Sequence, residues 1–123
     1  MSKRVLIVDD SNTMRKIVTR SLRQAGLDCG DILEAGDGAE ALELLDREPV
    51  DLILSDINMP NMDGLEFLRE KAGRDHLRKI PVVMITTEAG ADILAETRDL
   101  GSVGSIKKPF TPEQVRETLG PFF

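Results

Sequence analysis

Val5-Leu6-Ile7-Val8-Asp9-Asp10 is a run of four branched apolar residues that stops at two carboxylates. A continuous apolar run this short suits a central parallel strand covered on both faces rather than a strand with one wet face. The pattern returns at Ile32-Leu33-Glu34, Leu52-Ile53-Leu54, Val82-Val83-Met84-Ile85-Thr86 and, least clearly, Val103 to Lys107. Helical patterns lie between these runs. Met14, Ile17, Val18, Ser21, Leu22 and Ala25 share one helical face, with Gly26 as the stop. Ala41, Leu42, Leu44 and Leu45 stripe a second helix that ends before Pro49. Asp63 caps a third, begun by Leu65, Phe67 and Leu68. Ile93, Leu94 and Leu100 mark a less regular fourth. Thr111 caps a fifth, with Pro112 at its first position and Val115 and Leu119 as its apolar face. Five strands alternating with five helices predict right-handed βαβ crossovers. The expected fold is α/β: a doubly wound (βα)5 sandwich, with a five-stranded parallel sheet between helices on both faces.

The 123 residues suffice for one domain with a real core, and 41% apolar with 31% charged residues suits a soluble globular chain. No apolar run approaches the roughly 20 residues of a membrane helix. Met1-Ser2-Lys3-Arg4 is basic, but the apolar stretch after it is too short for a signal peptide. The lone Cys29 excludes an internal disulfide, and a cytoplasmic location is the default expectation. A formal net charge of −6 argues against direct nucleic-acid binding. The aromatics are four Phe, and no Lys/Arg cluster interleaves with them.

In doubly wound sheets, ligands sit at the carboxyl ends of the strands. Strand 1 ends in Asp9-Asp10, strand 3 in Asp56, strand 4 in Thr86-Thr87 and strand 5 in Lys107-Lys108-Pro109. Parallel strands would gather three carboxylates, a hydroxyl and an ammonium at one edge. Three adjacent carboxylates repel one another, and a divalent cation relieves that repulsion. All-oxygen ligands favour a hard ion such as Mg²⁺, with Mn²⁺ as the substitute. No His or Cys accompanies these positions, so zinc does not fit. An aspartate can attack phosphorus to give an acyl phosphate. A lysine adds a point charge for phosphoryl oxygens, and a threonine hydroxyl can bond the new phosphate. Singly, each residue has an ordinary reading: a solvated turn or helix cap for Asp9-Asp10, a strand end for Asp56 and Thr86, a surface lysine for Lys108. Their joint occurrence at four strand ends favours the chemical reading.

The chain resembles bacterial response-regulator receiver domains over nearly its whole length. The resemblance is carried by Val8-Asp9-Asp10-Ser11, Ser55-Asp56-Ile57-Asn58-Met59-Pro60-Asn61-Met62-Asp63-Gly64, Met84-Ile85-Thr86-Thr87-Glu88 and Lys108-Pro109-Phe110. Thr13-Met14-Arg15-Lys16-Ile17-Val18 brings it nearest to the single-domain, chemotaxis-type members. The resemblance implies a flavodoxin-like sheet of order 2-1-3-4-5. It implies one receiver domain spanning 1–123 in a two-component phosphorelay. Asp56 would accept phosphate from a histidine kinase or phosphotransfer protein. Asp10 and Asp56 would bind Mg²⁺ directly, Asp9 through water and Asn58 through its backbone carbonyl. Thr86 would be the switch hydroxyl, Lys108 would pair with the phosphoryl group, and the Lys108–Pro109 bond would be cis. Asn58 and Glu88 would tune the removal of phosphate by water. The output would be binding of a downstream protein through the face of helix 4, strand 5 and helix 5. The protein would be a monomer and not an enzyme, beyond self-phosphorylation and autodephosphorylation.

Ser105 departs from this pattern, because the family usually carries an inward-turning aromatic in that strand. Thr86 and position 105 therefore cannot couple in the usual way. Gly90 should loosen the loop before helix 4. Helix 5 looks short, and Phe122 and Phe123 either fold back over a helix or form a contact patch. A second reading makes the chain a phosphate sink or relay intermediate, which the absent aromatic favours. A third makes it the receiver part of a longer regulator, although Gly120-Pro121-Phe122-Phe123 is unlike a linker. An aspartyl-phosphate phosphatase acting on external substrates is disfavoured, since Asn58 stands where that chemistry needs a second acid.

Overall fold

The computed structural model describes residues 3–87 and 90–123. Its elements alternate without exception: β1 (Lys3–Val8), α1 (Asn12–Gln24), β2 (Cys29–Ala35), α2 (Gly38–Arg47), β3 (Leu52–Ser55), α3 (Gly64–Ala72), β4 (Val82–Thr86), α4 (Ala91–Asp99), β5 (Gly104–Lys107) and α5 (Pro112–Leu119), followed by a 3₁₀ turn at Gly120–Phe122. All pairings are parallel, and the sheet order is β2-β1-β3-β4-β5, as expected.

The two-residue period of a strand divides the core into two layers. Leu6, Val8, Ile53 and Met84 face one side, where Ala41, Leu42, Leu45, Phe67 and Leu68 of α2 and α3 cover them. Val5, Ile7, Leu52, Leu54, Val83, Ile85 and Ile106 face the other, beneath Val18 and Leu22 of α1 and Val115 and Leu119 of α5. The register keeps like with like: Val5 pairs with Leu52, and Leu6 with Ile53. Strands covered on both faces explain why the sequence shows continuous apolar runs there.

Helix ends follow their local chemistry. Ser11, Asp37, Asp63 and Thr111 each accept a backbone N–H in the first turn of α1, α2, α3 and α5. Gln114 completes a reciprocal capping box with Thr111. Gly26, at φ 74°, takes the left-handed conformation that ends α1. One expectation needs correction. Ile17 does not join the buried stripe of α1 but is 42% exposed. It lies on the rim of that stripe, where the helix surface already turns to solvent. The expected α4 forms, with Ile93 and Leu94 half-buried, Leu100 at its cap, and Thr97 its buried residue. The Thr97 hydroxyl donates to the Leu94 carbonyl at 2.8 Å, which makes its burial tolerable. Phe122 and Phe123 fold back against the layer under α1 and α5, so the fold-back alternative holds. Among the described residues, no helix is long and apolar enough to cross a membrane.

Candidate functional site

The parallel sheet delivers the carboxyl ends of β1, β3, β4 and β5 to one edge. Asp9 follows β1, Asp56 follows β3, Thr86 ends β4 and Lys108 follows β5. Asp9, Asp10 and Asp56 each offer a carboxylate oxygen, and these oxygens lie within 4.8 Å of one another. Burial is graded across the trio. Asp9 is 4% exposed, Asp56 is half-buried and Asp10 is open to solvent.

Lys108 reaches into this cluster. Its Nζ donates to Asp9 Oδ2 at 2.9 Å and to Asp56 Oδ2 at 3.2 Å. The lysine side chain is only 10% exposed, so solvent screens these pairs weakly. One ammonium thus offsets the repulsion of two nearly dry carboxylates. The other carboxylate oxygens are also held. Asp9 Oδ1 accepts the Ser11 N–H at 2.9 Å, and Asp56 Oδ1 accepts the Ile57 N–H at 2.7 Å. Each aspartate is therefore oriented by its own turn and charge-balanced by a distant strand.

The backbone beneath the site is tight. The Asp56 N–H bonds the Val8 carbonyl at 2.9 Å, tying the end of β3 to β1. The Gly64 N–H bonds the Ile57 carbonyl at 2.7 Å, and a Cβ at Gly64 would lie 2.8 Å from Ile57 Cα and press on the Asp56 carbonyl. Only glycine permits α3 to start this close to the Asp56 turn. The Lys108 N–H bonds the Thr86 carbonyl at 2.9 Å, and the Lys108–Pro109 bond is cis.

Of the residues singled out in the sequence, Asp9, Asp10, Asp56 and Lys108 converge directly. Thr86 is fully buried at the end of β4, next to the Lys108 turn. Asn58 is exposed in the turn after Asp56. Ser105 is exposed on β5, across from Met84. Glu88 lies outside the described residues. Arg15 was not singled out for the site, yet its Nη1 donates to the Asp9 carbonyl and its Nε to Glu34 Oε1 at 2.8 Å. Its position one turn past Ser11 was visible in the sequence. Its target was not, because β2 brings Glu34 alongside only in the fold.

Three oxygen-only acids beside an ammonium suit a hard cation and a transferable anionic group. The response regulator receiver domain family matches residues 5–120. The chain is 39% identical over 120 residues to chemotaxis protein CheY-3 of Vibrio cholerae, covering 98% of this chain and 91% of that protein. It is 38% identical over 120 residues to chemotaxis protein CheY of Pseudomonas aeruginosa, covering 98% and 95% of the two chains. The solved structure of V. cholerae chemotaxis protein CheY4 superposes with a TM-score of 0.87 at 35% identity over 100% of both chains.

Proposed function

The chain belongs to the response regulator receiver family, and from that premise we propose that Asp56 accepts a phosphoryl group and that this domain switches partner binding in response. Its function is two-component phosphorelay signal transduction of the chemotaxis type. The site reading rests on one observation: Asp9, Asp10 and Asp56 share a 4.8 Å cluster into which Lys108 reaches.

The donor is the phosphohistidine of a histidine kinase or phosphotransfer protein. In the transfer, an Asp56 carboxylate oxygen bonds to phosphorus. The phosphorus–nitrogen bond breaks, and the imidazole departs with the electron pair. The Ile57 N–H on Asp56 Oδ1 restrains rotation of the nucleophile, which favours a near-attack geometry. Lys108 is already within reach of Asp56 Oδ2 and passes to the phosphoryl oxygens as charge builds there. The all-oxygen donor set of Asp9, Asp10 and Asp56 fits Mg²⁺, with Mn²⁺ as a substitute, and these acids together with the Asn58 carbonyl would hold it. When bound, such a cation would screen the repulsion between carboxylate and phosphoryl group and neutralise charge on the group in transfer.

The Thr86 hydroxyl then bonds the phosphate. Its movement shifts the population toward a state that binds a downstream protein through α4, β5 and α5. Ser105 carries no ring to follow that movement, so the readout does not take the usual threonine-to-aromatic route. Asn58 and Glu88 set the rate of autodephosphorylation. Residues 1–123 act as one receiver domain, as a cytoplasmic monomer that binds neither nucleic acid nor membrane. The test is intact-mass analysis after treatment with acetyl phosphate and Mg²⁺. Wild type gains one phosphoryl group and Asp56→Asn gains none; equal labelling of the two removes Asp56 as the acceptor.

A further inference from the structure

We propose that Arg15 is a positioning residue for the cation site, holding the Asp9–Asp10 peptide through the Asp9 carbonyl while Glu34 holds Arg15. The proposal rests on the reading of Asp9, Asp10 and Asp56 as metal ligands. Asp9 is engaged through every polar group it has. Its N–H bonds the Ala35 carbonyl at 3.0 Å, and its carboxylate takes Ser11 N–H and Lys108 Nζ at 2.9 Å each. Its carbonyl takes the Arg15 guanidinium.

That carbonyl belongs to the planar peptide from which Asp10 projects. Asp10 is exposed, so packing cannot aim its carboxylate. The peptide plane must do so, and Arg15 pins that plane through the Asp9 carbonyl. The guanidinium is itself fixed. Its Nε donates to Glu34 Oε1 at 2.8 Å and its Nη2 to Asn12 Oδ1 at 3.3 Å, with the side chain 17% exposed. Glu34 precedes Ala35 on β2, the strand that also holds the Asp9 N–H. One planar fork therefore joins the start of α1, the end of β2 and the turn that carries two of the three acids. A lysine could reach one of these acceptors but not span them in a plane.

The alternative is that Arg15 acts only as a charge, and the two roles predict opposite signs. Removing a positive charge beside a cation site strengthens cation binding by Coulomb's law. Removing a residue that aims the ligands weakens it. The experiment is calorimetric titration of metal-free protein with MgCl₂, with far-UV circular dichroism to establish folding. Arg15→Ala is expected to lower Mg²⁺ affinity about tenfold, the low end for loss of a group that orients metal ligands. Arg15→Lys should recover part of that loss. Glu34→Gln alters only an exposed carboxylate, keeps an acceptor for the Arg15 Nε but takes the charge out of the pair, and should weaken binding in the same direction by less than Arg15→Ala does. In the double variant, Glu34→Gln should add nothing to Arg15→Ala. Affinity equal to or above that of wild type in Arg15→Ala overturns the proposal, and if that variant does not fold, the same result in Glu34→Gln does so. A wild type that binds no Mg²⁺, or an Asp56→Asn protein that binds it equally well, would instead defeat the site reading itself.

Discussion

Lys108→Met tests the electrostatic design of the site, because it removes the ammonium and keeps most of the apolar stem. Lys108 Nζ stands 2.9 Å from Asp9 Oδ2 and 3.2 Å from Asp56 Oδ2. At an effective dielectric constant of about 20, the gross attraction to each carboxylate is roughly 5–6 kcal/mol. Desolvation of the three groups offsets most of that sum. What the variant exposes is the cost of leaving two carboxylates unpaired and mutually repelling, with side chains 6% and 13% exposed. Stripping one partner from a buried ion pair costs about 3 kcal/mol at the low end, and the low end applies because Asp56 keeps some contact with water. At roughly 4 °C per kcal/mol for a chain of this size, Tm in EDTA should fall by about 12 °C. Mg²⁺ should return much of the loss, since a cation at a hundred times its Kd stabilises by about 2.7 kcal/mol. The gain on adding Mg²⁺ should exceed that of wild type, where the ammonium competes with the ion. The chain has no Trp or Tyr, so urea and thermal unfolding are followed by far-UV circular dichroism. A variant as stable as wild type in EDTA, with the same response to Mg²⁺, would refute the idea that Lys108 offsets carboxylate repulsion.

Two further outcomes follow from the packing. Gly64→Ala forces a Cβ to within 2.8 Å of Ile57 Cα and against the Asp56 carbonyl, so it should cost about 2 kcal/mol in urea denaturation and slow labelling by acetyl phosphate through a displaced Asp56 turn. Lys71 of α3 is 5% exposed and donates to the Arg78 carbonyl at 3.2 Å, and burial holds its pKa below the usual lysine value. The unfolded chain therefore binds more protons than the native one between that lowered pKa and about 10.4, and native stability rises with pH across this window. Lys71→Met should raise Tm at pH 7 by the equivalent of about 1 kcal/mol, with the gap to wild type closing as pH approaches 10; a gap independent of pH would show that the buried charge is not its source.

The acids of the site could be named from the sequence because strand and carboxylate are adjacent in the chain. A four-residue apolar run followed by Asp places that Asp at a strand end whatever the rest does. Parallel order then requires the ends to share an edge, so Asp9, Asp10, Asp56 and Lys108 were legible together. The caps at Asp63 and Thr111 were legible for the same reason, since a cap bonds the backbone only three residues ahead. Ile17 was not, because a rim position and a buried one share the same helical period. How far the apolar stripe extends depends on how close the neighbouring elements come.

Periodicity, strand-end chemistry and capping depend on neighbours in the chain, and the sequence by itself settled them: the α/β alternation, the parallel sheet, and the carboxylates with the lysine at its carboxyl edge. Pairings across the fold are set by packing and register, and only the tertiary structure decided those. It shows Lys108 bridging Asp9 and Asp56 across strands 52 or more residues apart. It shows Glu34 of β2 holding the Arg15 of α1 that bonds the Asp9 carbonyl. It shows Gly64 pressed against the Asp56 turn. Such contacts have no period and no fixed spacing, because the closure of distant segments around a common core sets them, and no local stretch of chain records that closure.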